Sequence, residues 1–323
     1  MKGDMIVEKR TSGIHHITAI VGNPQENVDF YAGVLGLRLV KKTVNFDDPG
    51  TYHLYFGDEE GSPGTIMTFF PWPGAYSGRT GAGQVGVTAF VVPEGALTFW
   101  EERLTKFNVA FEKTERFGEQ YLAFDDPHGL HLELVSRSEG KNSTWSFGGV
   151  SAEVAIKGFG GAVLLSGAPQ KTMRLLTDVM GLEKAGEDDD FIRFRAASDL
   201  GNIIDIKTSA VGRGTMGAGT VHHIAWRASD NEDHESWRSH VQQSGFEVTP
   251  VIDRQYFNAI YFRESGGILF EIATDPPGFA RDEPKDIMGK NLLLPPWLEP
   301  EREKIESVLM PAEVRVLKED EVK

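Results

Sequence analysis

The chain has 323 residues, enough for two domains of ordinary size with sizeable cores. Its net charge of −15 argues against nucleic acid or an anionic membrane surface as a partner. The absence of cysteine excludes disulfides, thiolate metal sites and cysteine nucleophiles.

The opening stretch MKGDMIVEKR has no apolar signal core, and no run approaches ~18 apolar residues, so a cytoplasmic protein is expected. From Gly13, GIHHITAI reads as a first strand. Residues 24–37, PQENVDFYAGVLGL, read as a helix with Val28, Tyr31 and Leu35 at helical spacing and Gly36 as its stop. TIMTFFP closes this unit as a strand. GRTGAG at 78–83 is punctuation before a second unit, which begins near Gly83 and ends in LHLELVS. A third begins near Lys157 and ends in NIIDIKT. GRGTMG at 212–217 fits a dinucleotide-binding glycine pattern, but TVHHIAW follows it rather than a helix, so it reads as a flexible linker. A fourth unit begins near Gly219 and ends in ILFEIAT. After residue 280, GKNLLLPPWLEPEREKIESVL predicts an arm docked on the body, whether or not it closes over the site, with the acidic end LKEDEVK frayed.

These units are repeats. Residues 24–37 align without a gap to 169–182, PQKTMRLLTDVMGL, and 115–133 align without a gap to 253–271. The second pair alternates and turns at DPHG and ESGG, as a hairpin of two strands does. Each unit is therefore β, α, then three β. A βαβββ unit cannot bury its sheet face alone, so the units must pair. The expected boundaries are 1–82, 83–150, 151–212, 213–280 and an arm at 281–323.

Four βαβββ units with HHI on a first strand and Glu in a last strand resemble the vicinal oxygen chelate superfamily, which includes glyoxalase I, extradiol ring-cleaving dioxygenases and antibiotic-resistance proteins. GIHHITAI, TVHHIAWR, the Arg254/Tyr261 strand and LFEIATD are most similar to the hydroquinone-cleaving dioxygenase branch. The resemblance implies an α+β fold of half-barrel sheets with helices outside.

The repeat supplies its own control. At the first-strand position the units carry His16, Gly86 (or Val87, one residue on), Gly161 and His223. At the last-strand position they carry Thr68, Glu133, Asp205 and Glu271. Pairing the first unit with the fourth, and the second with the third, puts His16, His223 and Glu271 in one cup. Two neutral imidazoles and one carboxylate form the facial set of non-haem Fe(II) oxygenases; Mn(II) suits the same donors. His131 and Glu133, two apart on one strand, lack a partnering imidazole and read as surface or packing residues.

The resemblance further implies catalytic roles for His15, Thr18, His222, Arg254 and Tyr261 around the metal. By strand alternation alone, His15 and His222 face away from the ligands unless the strand bulges. The expected activity is Fe(2+)-dependent opening of a hydroquinone or catechol ring with O2. A glyoxalase-type lyase, or a non-catalytic protein that binds a small aromatic or antibiotic, are the rival readings.

Overall fold

The computed structural model describes residues 9–321. The first unit comprises β1 (Ile14–Val21), α1 (Pro24–Val28), β2 (Arg38–Asn45), β3 (Asp48–Gly57) and β4 (Ile66–Pro71). The second comprises β5 (Gln84–Val92), α2 (Leu97–Lys106), β6 (Phe111–Arg116), β7 (Glu119–Asp125) and β8 (His131–Ser136). The third is β9 (Gly158–Leu165), α3 (Pro169–Arg174), β10 (Glu183–Asp188), β11 (Phe191–Arg195) and β12 (Ile203–Lys207). The fourth is β13 (Thr220–Ala228), α4 (Asn231–Gln243), β14 (Ile252–Asp253), β15 (Phe257–Arg263) and β16 (Leu269–Pro277).

Local chemistry sets these elements. The Asn23 side chain accepts from the amides of Gln25 and Glu26, and Pro24 opens α1 where its missing N–H costs nothing. α1 widens into a π-turn at Asp29–Val34, so the predicted helix over 24–37 is helical only in two joined pieces. α3 does the same at Leu175–Val179, and the five-back bonds match: Leu35 N–H to Phe30 O and Met180 N–H to Leu175 O, both 2.9 Å. The repeat thus extends to an unusual backbone bond.

The strands form two eight-stranded sheets. One runs β14-β15-β16-β13-β1-β4-β3-β2 and the other β10-β11-β12-β9-β5-β8-β7-β6. The first unit is joined to the fourth along antiparallel β1–β13, and the second to the third along β5–β9. This is the outer-with-outer pairing expected. A common core runs between sheets and helices, with Trp100, Trp226, Trp237 and Phe90 fully buried. No helix among the described residues is long and apolar enough to cross a membrane.

The glycine-rich segments are not flexible linkers. Residues 76–82 and 212–218 lie against each other, with Arg79 and Thr215 exchanging both backbone bonds (2.9 and 2.8 Å) and the Ala82 amide reaching Gly212 O at 2.8 Å. A Cβ at Gly81 would stand 2.3 Å from Gly212 O, and one at Gly217 would stand 2.5 Å from Tyr76 O. The glycines are there because two backbones touch.

The C-terminal arm docks as expected through α5 (Arg302–Val308) and the residues before it. Leu294, Leu298 and Ile305 bury against Val44, with Phe46 beside them. Trp297 stays 52% exposed while its ring meets Phe46 edge-on. The acidic end is not frayed through Asp320, whose buried carboxylate accepts from Arg103 (2.9 Å) and Lys106. A pair of cations on α2 captures it, which a reading of local charge alone does not reveal.

Candidate metal centre

β1 and β13 each carry one extra residue relative to the other. Ile14 pairs with Trp226 and His16 with Ala225, which leaves His15 unopposed; Thr18 pairs with His223 and Ala19 with Val221, which leaves His222 unopposed. Each double histidine therefore sits on a bulge. The bulges undo strict alternation and bring adjacent imidazoles into contact, His15 Nδ1 to His16 Nδ1 at 2.9 Å and His222 Nδ1 to His223 Nδ1 at 2.8 Å. The other sheet has the same two bulges, at Gly86 and Gly160. The counterpart of His223 is accordingly Val87, one residue beyond Gly86, and that of His16 is Gly161.

Nε2 of His16 and Nε2 of His223 face each other at 3.2 Å. Glu271 Oε2 lies 2.9 Å from the latter and 3.5 Å from the former. All three side chains are buried and their ligand atoms lie within 4.8 Å of one another, the one such cluster among the described residues. Both Glu271 oxygens are buried without hydrogen-bond geometry to any donor. Burial alone would raise this carboxyl, but the facing imidazoles of His16 and His223 outweigh it and hold Glu271 well below the usual range. Burial drives His223 down toward the neutral imidazole. Three converging donors with no better partner fit a cation. The neighbouring Nδ1 contacts suit it too: a proton on Nδ1 of each ligand leaves the Nε2 lone pair free.

The cluster forms one wall of a cavity of about 360 Å³ lined also by Asn45, Phe46, Asp47, His53, Tyr55, Phe70, Trp72, His222, Arg254, Phe257, Tyr261 and Leu269. A larger groove of about 980 Å³ runs past β6, β7 and α1, but it contains no comparable set of donors. His222, Arg254 and Tyr261 are on the smaller cavity's wall. Arg254 Nε donates to Tyr261 Oη at 3.2 Å, and its Nη1 meets Asp47 Oδ2 at 3.0 Å. His222 is driven down to about 3 by burial, then by His223. Burial, then the Glu271 charge, pushes Tyr261 well above the usual phenol range.

His15 and Thr18 lie behind this wall. His15 is buried against His16 and Phe257. Thr18 Oγ1 meets Thr68 Oγ1 at 2.8 Å, and Thr68 in turn meets His53 Nε2 at 2.8 Å. His53 completes a chain to Tyr55 Oη at 2.8 Å. Sequence reasoning passed over His53, although its place two residues before Tyr55, on the same strand face, could have marked it. Among the aromatics near the site, Phe257 lines the cavity while Trp226 and Phe270 fill the core.

In the other sheet Glu133 and Asp205 occupy the carboxylate positions with no imidazole between them. Arg116 binds Glu133 (2.8 and 3.1 Å) and Asp205 (2.8 Å), and Arg193 binds Asp205 twice (2.8 and 2.9 Å). Guanidinium groups stand where the first sheet gathers histidines. His131 is exposed and contacts Asp125.

Paired βαβββ units around a cup of two imidazoles and one carboxylate define the vicinal oxygen chelate class. The chain belongs to the Glyoxalase/Bleomycin resistance protein/Dioxygenase superfamily, whose family model matches residues 13–134 and 158–272. It is 67% identical over 309 residues to the provisionally named ring-cleaving dioxygenase MhqO of Bacillus subtilis, covering 96% of this chain and 99% of that one. It is 35% identical to the chlorohydroquinone/hydroquinone 1,2-dioxygenase of Sphingobium indicum, covering 91% and 95%. A crystal structure of a provisionally named Bacillus subtilis dioxygenase superimposes with a TM-score of 0.95 at 67% identity, covering 96% and 100%. Glyoxalase I of Zea mays shares the fold at TM-score 0.60 and 14% identity, covering 81% and 92%.

Proposed function

We propose that the protein is an Fe(II)-dependent dioxygenase that opens the ring of a hydroquinone, or of a catechol, with O2. The observation that carries this reading is the convergence of His16, His223 and Glu271 on one point of an aromatic-lined cavity. The names of the relatives at 67% and 35% identity favour the same chemistry. His16, His223 and Glu271 would hold the ion, with Fe(II) the proposed metal and Mn(II) accepted by the same donors. The bound ion would supply a Lewis-acidic centre with open positions where substrate oxygen and O2 meet.

The chain's own groups have defined tasks in this proposal. His15 and His222 fix the ring orientation and tautomer of the two ligands through their Nδ1 contacts. His222, neutral and on the cavity wall, accepts from His223 at Nδ1 and so presents its Nε2 proton as a donor to oxygen of the bound substrate. Arg254 donates to Tyr261 Oη, which leaves the tyrosine proton free to be donated to negative charge that develops on oxygen. Thr18 braces the cavity floor through Thr68 and His53. Phe46, Phe70, Trp72 and Phe257 exclude water and sandwich a ring.

Two features count against a glyoxalase-type lyase. Thr68 stands at the position of a fourth acid, and its hydroxyl is already engaged by Thr18 and His53. The test is anaerobic loading with Fe(II), followed by O2 uptake with hydroquinones and catechols. His223→Ala is expected to abolish both bound metal, read by elemental analysis, and uptake; His131→Ala keeps both. Hemithioacetal turnover without O2 would replace the proposal with the lyase, and metal loss in His131→Ala would move the site.

A further inference from the structure

We propose that Asp47 is a specificity-determining residue that restricts the cavity to diols without an anionic ring substituent. The inference rests on the diol-cleaving reading above and names the substrate class within it.

Asp47 lies at the tip between β2 and β3, lines the cavity, and meets Arg254 Nη1 at 3.0 Å. The lining residues bearing a carboxylate or guanidinium group are Glu271, Asp47 and Arg254. Glu271 and one phenolate oxygen of the substrate would together balance the charge of a divalent cation held at the cluster. Arg254 is neutralised by Asp47. Every formal charge then has its counterpart, and a carboxylate carried on the ring would enter as an unpaired anion. Its natural partner would be the Arg254 guanidinium, the group suited to a carboxylate, but Asp47 already holds it. Removing water from an uncompensated anion is costly, so the cavity selects against it.

The neighbouring acid makes the control. Asp48 accepts from Trp72 Nε1 at 2.9 Å and from Thr51 at 3.1 Å, not from Arg254. Asp47→Asn and Asp48→Asn change the net charge equally, yet only the first releases Arg254.

The experiment compares anaerobic dissociation constants of methylhydroquinone and 2,5-dihydroxybenzoate on Fe(II)-loaded protein by titration calorimetry. Wild type should bind the carboxylated diol the more weakly. The side chain of Asp47 is 72% exposed and that of Arg254 20%, so solvent screens the pair, and Asp47→Asn should lower the ratio of the two constants by about fivefold. Asp47→Glu should restore the wild-type ratio, and Asp48→Asn should keep it. Equal binding of both diols by wild type, or a ratio in Asp47→Asn within about twofold of wild type, overturns the proposal. Failure of wild type to bind either diol overturns the diol-cleaving reading and this inference with it.

Discussion

Glu271 and Glu133 occupy equivalent strand positions and meet their charge in opposite ways. Glu271 has two buried oxygens without a hydrogen bond, facing two imidazoles; Glu133 lies in the fork of Arg116. Arg254 is the counterpart of Arg116, yet it bonds Tyr261 and Asp47 and leaves Glu271 to the histidines. The difference follows from what sits at the first-strand positions, His16 and His223 in one cup, Gly161 and Val87 in the other. Without imidazoles, paired acids need a permanent cation. Breaking a buried pair strands its partner, so Arg116→Met should cost about 3–5 kcal/mol in urea unfolding. Adding Glu133→Leu should recover much of that loss. Full cost in both variants would mean that Arg116 acts through packing on Tyr121 instead.

At the scale of elements, the bulges and the paired glycine segments decide where side chains go. A bulge is one unpaired residue, and pairing is set by the partner strand, so HH could be located in the sequence while its direction could not. The glycine segments were legible as breaks between units but not as a ladder, because each finds its partner far along the chain, as Arg79 does at Arg213, 134 residues away. Their close approach gives a sharp contrast. Gly81→Ala, with its Cβ 2.3 Å from Gly212 O, must push two backbones apart. Overpacking of this kind costs about 1–3 kcal/mol. Gly212→Ala meets nothing within 4 Å and should lower thermal stability far less. Equal losses in calorimetric melting would contradict the ladder.

At the scale of the whole molecule, the second sheet works as an ion-paired partner to the candidate metal sheet. Glu119 is held to about 2: burial opposes this, but bonds from Arg137 and Arg193 outweigh it. Since its carboxyl is depressed from an ordinary 4.5, the contribution to stability is complete above that pH and lost as the pH falls from there toward about 2. Melting temperature should therefore decline across that window in wild type, and Glu119→Gln should flatten the decline. A Glu119→Gln profile parallel to wild type would assign acid sensitivity to other groups.

Repeat count, unit order and the three candidate ligand positions are legible in the sequence by itself, and outer-with-outer pairing is the arrangement that gathers those ligands in one cup as the family resemblance implies. Hydrophobic period, turn residues and internal alignment are local properties, and four copies let each position be checked against the others. Tertiary structure alone decided the rest: that adjacent histidines meet through their Nδ1 atoms, that His53 joins the cavity, that Asp47 holds Arg254, that Arg116 and Arg193 fill the second cup, and that the Asp320 carboxylate is buried. Each of these depends on atoms distant in the chain meeting within a few ångströms, and such distances exist only after the sheets have curled and closed.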